Sequence, residues 1–218
     1  RLPAYVEDCY FCPRNVRVSG ARNPDYRSVF VFDNDHPCVG LDAPRQLETP
    51  HGFYRNAPAI GIARVVCYSP QHNSTLAVLP ADEIVALLDT WREQYLELGS
   101  RPEIRHVLAF ENKGDVVGVS NPHPHGQIYA TNFVFKTIEV EAAAARRHYD
   151  EHGRVLFQDI LRSELEDGRR ILFENVSWYR PKPLVSRLNT WISPQSIALR
   201  DLEVPDIKKG RELGQKVI

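Results

Sequence analysis

Two cysteines three positions apart, Cys9 and Cys12, constrain the fold of this chain more than any other feature of the sequence. This spacing lets both thiolates face one metal ion. The 218 residues contain no second pair of this kind, so a closed tetrahedral zinc site needs two further ligands from other segments. The fold must therefore bring the N-terminal segment next to ligands that lie far along the chain.

Histidines are the natural suppliers of these two ligands, and the sequence contains eight of them. His72 follows a Ser-Pro-Gln turn, and His123 opens the densest polar motif in the chain. Cys9, Cys12, His72 and His123 are therefore the best candidate set for a Cys2His2 zinc site. Taken alone, His72 would be interpreted as an ordinary capping or surface residue.

A buried or redox-active thiol pair is the alternative interpretation of Cys9 and Cys12. No strand-helix-strand pattern surrounds them, which weakens the redox interpretation. The remaining cysteines, Cys38 and Cys67, lie in apolar runs and are predicted core residues. Four cysteines in a chain of this length without a signal peptide are too few for a disulfide framework.

Three polar side chains, those of His123, His125 and Gln127, occupy alternate positions. On an extended segment such residues point to one face. If a metal ion holds His123 at one end of that face, His125 is left beside it with a free ring nitrogen. The preceding polar segment 112–122 contains glycine and can offer backbone N–H groups to phosphate oxygens. The motif therefore favours a phosphate site over a surface histidine pair.

An imidazole at this place can attack phosphorus directly. With an ordinary pKa near ~6.5, much of His125 is neutral at physiological pH and needs no separate base. Gln127 cannot transfer a proton to a leaving group and can only hydrogen-bond to phosphate oxygens. The leaving group must then be stable as an anion, as a sugar phosphate is, so the pattern predicts a reversible transferase and not a hydrolase.

Charge and hydropathy exclude several classes of partner. A net charge of −1 gives no bulk attraction to nucleic acid or to an anionic membrane. No apolar run approaches the ~18 residues that cross a bilayer, and the first residues lack the apolar stretch of a signal peptide. We therefore expect a cytoplasmic protein. The absence of Met predicts either that the sequence is part of a longer protein or that modified Met positions were omitted.

Residue patterns predict an α+β fold with four strands and two helices. Apolar residues at helical spacing predict a helix over 80–98 that Gly99 ends, and an Ala-rich, charged segment predicts a solvated helix over 139–152. The predicted strands are 28–35, which runs into a turn, 61–69, 105–111 and 123–130. Pro124 is compatible with the last strand only at its beginning or edge.

One internal similarity points to a repeat. The segment 67–72, CYSPQH, recurs loosely as WISPQS at 191–196, and a helical pattern follows each copy. The offset of 124, from Ser69 to Ser193, would place a second histidine strand beyond the last residue, 218. The chain is therefore expected to stop inside a second repeat.

Four segments carry a resemblance to a known family. CYFCPRNVRVSGARNPDY, FDNDHP, CYSPQH and ENKGDVVGVSNPHPHGQIYA together resemble the galactose-1-phosphate uridylyltransferase family of the histidine-triad superfamily. The resemblance covers roughly residues 4–170 and implies a histidine-triad-like antiparallel sheet with flanking helices, internally repeated. Residues 1–165 would form the first repeat, with the zinc site and the nucleophile, and residues 166–218 the beginning of an incomplete second repeat.

The resemblance also implies an activity and roles for individual residues. Members of the family exchange UMP between UDP-glucose and galactose 1-phosphate by a ping-pong mechanism through a uridylyl-histidine, as part of galactose metabolism. His125 would be the nucleophile and Gln127 the phosphate-contacting amide. The other implied positions are the zinc ligands Cys9, Cys12, His72 and His123, the nucleotide-contacting pair Asn34 and Asp35, and the substrate-binding residues Asn112, Gly118, Val119 and Ser120.

Two further implications concern a second metal and a partner subunit. Glu141 falls where the family has a carboxylate ligand for a second metal, often iron, whose histidine ligands belong to the C-terminal repeat. Taken alone, Glu141 would be an ordinary helix-surface carboxylate. The family's active site is shared between the subunits of a homodimer, and its substrates are UDP-glucose, UDP-galactose and hexose 1-phosphates.

Two other functions stay open on the sequence. A phosphorylase of the same superfamily, which splits a nucleotide sugar or dinucleotide with inorganic phosphate, would use the same His125 and Gln127. A zinc-stabilised nucleotide-binding module without catalysis would bind metal and nucleotide but form no covalent adduct.

Overall fold

The structure is a computed structural model that describes residues 2–48, 52, 56–114, 119, 121–169, 171–174 and 179–181. The chain forms two compact units, Arg1–Val134 and Phe135–Ile218. Among the described residues, no helix combines the length with the apolar composition that a membrane span requires. The proposed zinc and phosphate motifs all fall in the first unit.

The first unit is built on a four-stranded antiparallel sheet. Its strands are β1 (Phe30–Asp33), β2 (Gly61–Cys67), β3 (His106–Phe110) and β4 (His125–Thr131). They are arranged in the order β1-β2-β4-β3, and every neighbouring pair is antiparallel. The α+β fold with an open antiparallel sheet is therefore confirmed. Strands β2 and β4 form its centre, and β2 carries three β-branched residues, Ile62, Val65 and Val66.

Helix α1 (Ala81–Gly99) covers one face of the sheet. It follows Pro80, and Asp82 and Glu83 in its first turn interact favourably with the helix dipole. Leu87 and Leu98 are fully buried in a core that includes residues of β2 and β4. The predicted helix is confirmed, although two details differ.

The first difference is the end of α1, because Gly99 is still helical. The N–H of Ser100 donates to the carbonyl of Leu96, so the helix is capped one residue later than predicted. The second difference is Tyr95, which the spacing places on the apolar face. Its side chain is exposed, although Leu98, three residues later, is buried in the core.

The histidine segment also differs from its predicted boundaries. The strand begins at His125 and not at His123, so Pro124 precedes it, as Pro requires. Along β4 the burial alternates: Gly126, Ile128 and Ala130 are buried against the α1 side, and His125 and Gln127 on the opposite face are half-buried.

The second unit contains a helix pair and a short hairpin. Its elements are α2 (Lys136–His152), α3 (Leu156–Asp167), β5 (Ile171–Glu174) and β6 (Tyr179–Pro181). Helix α2 buries none of its residues, as predicted for a solvated helix, and it ends at Gly153 in the left-handed conformation. The repeated turn at 191–196 lies outside the described residues.

Candidate active site

The structure brings together the four predicted zinc ligands. Cys9, Cys12, His72 and His123 are all buried, and their ligand atoms lie within 4.8 Å of one another. Nδ1 of His123 is 3.9 Å from Sγ of Cys9 and 3.6 Å from Sγ of Cys12, and Nδ1 of His72 is 3.7 Å from Sγ of Cys12. Adjacent ligands of a tetrahedral zinc ion lie about 3.3–3.8 Å apart, given its bond lengths. The donor set and its spacing therefore fit a zinc ion.

The loop that carries the cysteines is ordered by its own backbone. The N–H of Cys12 donates to the carbonyl of Cys9, and the N–H of Phe11 donates to Sγ of Cys9. The N–H of His72 donates to the carbonyl of Ala4, which ties the distant histidine to the N-terminal segment. Burial raises the pKa of the Cys12 thiol to about 11, so a thiolate at this place needs a cation beside it.

The orientation of His123 is set by its other ring nitrogen. Nε2 lies 3.0 Å from the carbonyl oxygen of Ser69 and 3.1 Å from the hydroxyl of Tyr26. A carbonyl only accepts, so Nε2 carries the proton and Nδ1 keeps its lone pair toward the cysteines. Burial lowers the pKa of His123 to about 4, so the ring is neutral. Asn121 adds a donor to Sγ of Cys9 and accepts the N–H of His123.

His125 lies beside the cluster with Nδ1 engaged, and no described residue hydrogen-bonds to its Nε2. Its Nδ1 is 2.7 Å from the carbonyl oxygen of His123 and must donate to it, which leaves the lone pair on Nε2. The ring of Phe11 packs edge-on against the ring of His125, with 4.7 Å between centroids. Burial, and to a smaller extent the nearby Lys113 ammonium, lowers the pKa of His125. The ring is therefore a neutral, oriented base with nucleophilic character at neutral pH.

The side chain of Gln127 is the next polar group on the same face. Its Oε1 accepts a hydrogen bond from Nδ2 of Asn34 at 3.3 Å. The structure thus brings together two predicted site residues that are separated by most of the first unit.

Asp35, the other member of the predicted nucleotide pair, faces Arg17. Nε of Arg17 is 3.8 Å from Oδ2 of Asp35, and the N–H of Ser19 donates to the same oxygen. The guanidinium of Arg17 stacks on the ring of Phe32 at 4.1 Å from its centroid. Asp35 is therefore held by a cation that is itself fixed to the sheet.

The remaining predicted residues are less closely grouped in the described structure. Asn112 is exposed just after β3, and Val119 is half-buried. Gly118 and Ser120 lie outside the described residues. Glu141 is an exposed residue of α2 in the second unit, and no metal-binding group among the described residues includes it.

The exposure of Cys38 shows that its prediction as a core residue was wrong. Cys38 is exposed whereas Cys67 is buried, and it is the next residue, Val39, that is buried, close to Gly61 of β2.

Sequence reasoning missed five residues that orient the site: Phe11, Arg17, Tyr26, Ser69 and Asn121. All five fall inside or next to the sequence segments that carry the family resemblance. Their position between or beside the proposed ligands was the signal that could have identified them as site residues.

The fold and site define a class of protein before any comparison: an α+β domain in which a buried Cys2His2 cluster holds a strand with an oriented, neutral histidine. The N-terminal domain of the galactose-1-phosphate uridyl transferase family matches residues 1–134. The chain belongs to this family.

Individual relatives and solved structures agree. The chain is 37% identical over 206 residues to galactose-1-phosphate uridylyltransferase of Haemophilus influenzae, covering 94% of this chain and 58% of the relative. It is 35% identical over 167 residues to the enzyme of Rattus norvegicus, covering 77% of this chain and 44% of the relative. A solved uridylyltransferase structure superposes with a TM-score of 0.81 at 26% identity, over 99% of this chain and 69% of that one. The chain thus spans about half the length of these curated relatives.

Proposed function

We propose that this protein is a UDP-glucose–hexose-1-phosphate uridylyltransferase that transfers UMP between UDP-glucose and galactose 1-phosphate, with His125 as the nucleophile. The observation that carries the proposal is the hydrogen bond from Nδ1 of His125 to the carbonyl of His123. It leaves the Nε2 lone pair free on the face that also bears Gln127. Membership of the family and the names of the relatives support the substrate class.

In the first half-reaction, Nε2 of His125 attacks the α-phosphorus of UDP-glucose. The N–P bond forms as the bond from phosphorus to the bridging oxygen breaks, and glucose 1-phosphate leaves with the bonding electron pair. It leaves as a stable anion, so no proton donor is needed. As the ring acquires a positive charge, the Nδ1–H bond to the His123 carbonyl stabilises it.

In the second half-reaction, a phosphate oxygen of galactose 1-phosphate attacks the same phosphorus. The N–P bond breaks, its electron pair returns to Nε2, and UDP-galactose forms. The amide of Gln127 donates to a nonbridging phosphate oxygen in both steps, where negative charge develops. The two half-reactions use one site in turn, which is a ping-pong mechanism.

The cluster of Cys9, Cys12, His72 and His123 is proposed to hold structural zinc. The ion would supply no bond to the substrate, because a Cys2His2 set closes its coordination sphere. It would fix His123, whose carbonyl orients His125. The zinc site thus acts on the reaction through the position of one carbonyl group.

Other features follow the resemblance and stay proposals. The proposed contacts to the nucleotide or sugar phosphate come from Asp35, Asn112, Gly118, Val119 and Ser120. In the proposed homodimer, two subunits share each active site. Residues 1–165 and 166–218 represent two repeats of one histidine-triad-like unit. Glu141 would bind iron or another second metal only with ligands from outside the described residues. A cytoplasmic location stays a prediction.

Intact-mass spectrometry after mixing the protein with UDP-glucose tests the proposal. We expect a mass increase of one uridylyl group, its loss on adding galactose 1-phosphate, and no increase in the His125→Asn variant with zinc content retained. Absence of an adduct in a folded, zinc-loaded wild-type protein would contradict the proposal and favour a nucleotide-binding module. An adduct from ADP-glucose, or release of the nucleotide by inorganic phosphate in place of galactose 1-phosphate, would indicate a phosphorylase.

A further inference from the structure

Asn34 is placed to act on Gln127 as well as on a nucleotide. It follows β1, and its N–H donates to the carbonyl of Ala63 on β2. Gln127 lies on β4, the strand beyond β2, and pairs with Val65. The two amides meet across β2, where Nδ2 of Asn34 lies 3.3 Å from Oε1 of Gln127.

The direction of each amide can be assigned from its partners. The N–H of His36 donates at 3.0 Å to the side chain of Asn34, so the receiving atom is Oδ1. The other end of the Asn34 amide is then the NH2 group, which only donates. The atom of Gln127 that faces it must be Oε1. Nε2 of Gln127 consequently points away from Asn34, and no described residue hydrogen-bonds to it.

We propose that Asn34 is a positioning residue that fixes the Gln127 amide so that its NH2 group faces the α-phosphate. Three polar groups in a row share one direction: the His36 N–H donates to Asn34, Asn34 donates to Gln127, and Gln127 donates to a phosphate oxygen. Without Asn34, the amide of Gln127 can flip and present its oxygen to the phosphate, which is repulsive. This role rests on the proposed uridylyl transfer and adds to the nucleotide contact that the resemblance implies.

The inference makes the aspartate variant more informative than the alanine variant. In Asn34→Asp, the carboxylate still accepts the N–H of His36, so the local turn is kept. It accepts from Gln127 where Asn34 donates, and it therefore turns Oε1 toward the phosphate. Asn34→Ala removes the bond without imposing the wrong direction. We therefore expect the aspartate variant to be the slower enzyme.

A double-mutant cycle in the full-length protein tests this role. The measured quantities are the rate of uridylyl-adduct formation at saturating UDP-glucose, by rapid quench and intact mass, and the half-saturating concentration. We expect Asn34→Ala to lower the rate about 10-fold and Asn34→Asp about 100-fold, within the range for one misplaced donor to a developing charge. In the Gln127→Ala background, both substitutions should change the rate less than about twofold, because there is no amide left to orient.

Each alternative leaves a distinct signature. If Asn34 acts only on the nucleotide, both variants raise the half-saturating concentration equally in the Gln127 and Gln127→Ala backgrounds, which overturns the inference. A charge effect of the new carboxylate on the substrate persists in Asn34→Asp/Gln127→Ala and also overturns it. A wild-type protein that forms no adduct refutes the proposed function instead, so the two failures are distinguishable.

Discussion

The two faces of strand β4 differ in packing and in hydrogen bonding. On one face, Ile128 and Ala130 are fully buried in the core formed with α1. On the other face, His125 and Gln127 are half-buried, and each has one polar atom engaged and one directed to the site. One strand thus separates the residues that stabilise the fold from those that we propose to be catalytic.

The Cys2His2 cluster does not fit this division simply. It lies beside the face of β4 that bears His125 and Gln127, yet its four residues are as buried as the residues of the hydrophobic core. His123 has both ring nitrogens engaged, whereas His125, two residues later, has one engaged and one without a partner in the described part of the chain. A substitution at His123 should therefore mainly reduce stability, whereas a substitution at His125 should mainly reduce turnover.

The largest expected effect is on activity, at His125. The His125→Asn variant should lower turnover by about 10⁴-fold or more, because His125 is the proposed nucleophile and Asn cannot replace it. Its stability should change by less than about 1 kcal/mol, since one half-buried hydrogen bond is at stake and Asn keeps a donor. Steady-state kinetics and urea unfolding measure the two quantities. A large loss of stability would instead indicate that His125 is a structural residue, as His123 is proposed to be.

The next effect is on stability, at the cluster. Cys9→Ser should lose the metal and reduce the free energy of unfolding by more than about 4 kcal/mol, because metal binding is coupled to folding. Zinc content by elemental analysis and thermal unfolding with and without a chelator measure it. Cys38→Ser, at an exposed cysteine outside the cluster, is the control and should retain both metal and stability. Equal behaviour of the two variants would show that the cluster holds no metal.

A smaller effect is expected at Gly126, between the two site residues of β4. A Cβ at this position would lie 2.2 Å from the Tyr68 hydroxyl oxygen and 2.8 Å from the Phe110 carbonyl oxygen, on the core face. We expect Gly126→Ala to cost about 1–3 kcal/mol by overpacking. At Gly99, the end of α1, the nearest atom is a Val107 methyl at 3.9 Å, so Gly99→Ala should stabilise by up to about 1 kcal/mol. If Gly126→Ala and Gly99→Ala changed the free energy of unfolding equally, the close packing assigned to the core face would be contradicted.

The parts of this division that sequence could predict are those encoded in local patterns. Helical spacing predicted α1, and alternation predicted the shared face of His125 and Gln127. The Cys2His2 set could be proposed because thiolate and imidazole are distinctive ligands. The contact of Asn34 with Gln127 could not be predicted from spacing, because it depends on the strand order β1-β2-β4. The exposure of Cys38 depended on which of two adjacent residues faces the sheet, which an apolar run does not specify.

The smallest expected effect concerns Arg64, a charged residue on the core face of β2. Arg64 of β2 binds Glu97 of α1, with Nη2 to Oε1 at 3.1 Å, and this bond holds the pKa of Glu97 below its usual range. An acid with a depressed pKa adds stability above its unfolded pKa of about 4.3, and that stability is lost as pH falls through the folded pKa. The Glu97 side chain is 45% exposed, so the pair contributes only up to about 1 kcal/mol.

Glu97→Gln should therefore lower stability slightly at pH 7 and flatten its decline below about pH 5. Urea unfolding at pH 7, 5 and 4 measures both effects. Glu93→Gln, at an exposed carboxylate of the same helix for which the described part of the chain provides no ion pair, is the control. If the stability of both variants falls with decreasing pH as it does in the wild type, the ion pair between Arg64 and Glu97 adds nothing to stability. The stability of the core face then rests on apolar packing, and the contrast between the two faces of β4 becomes sharper.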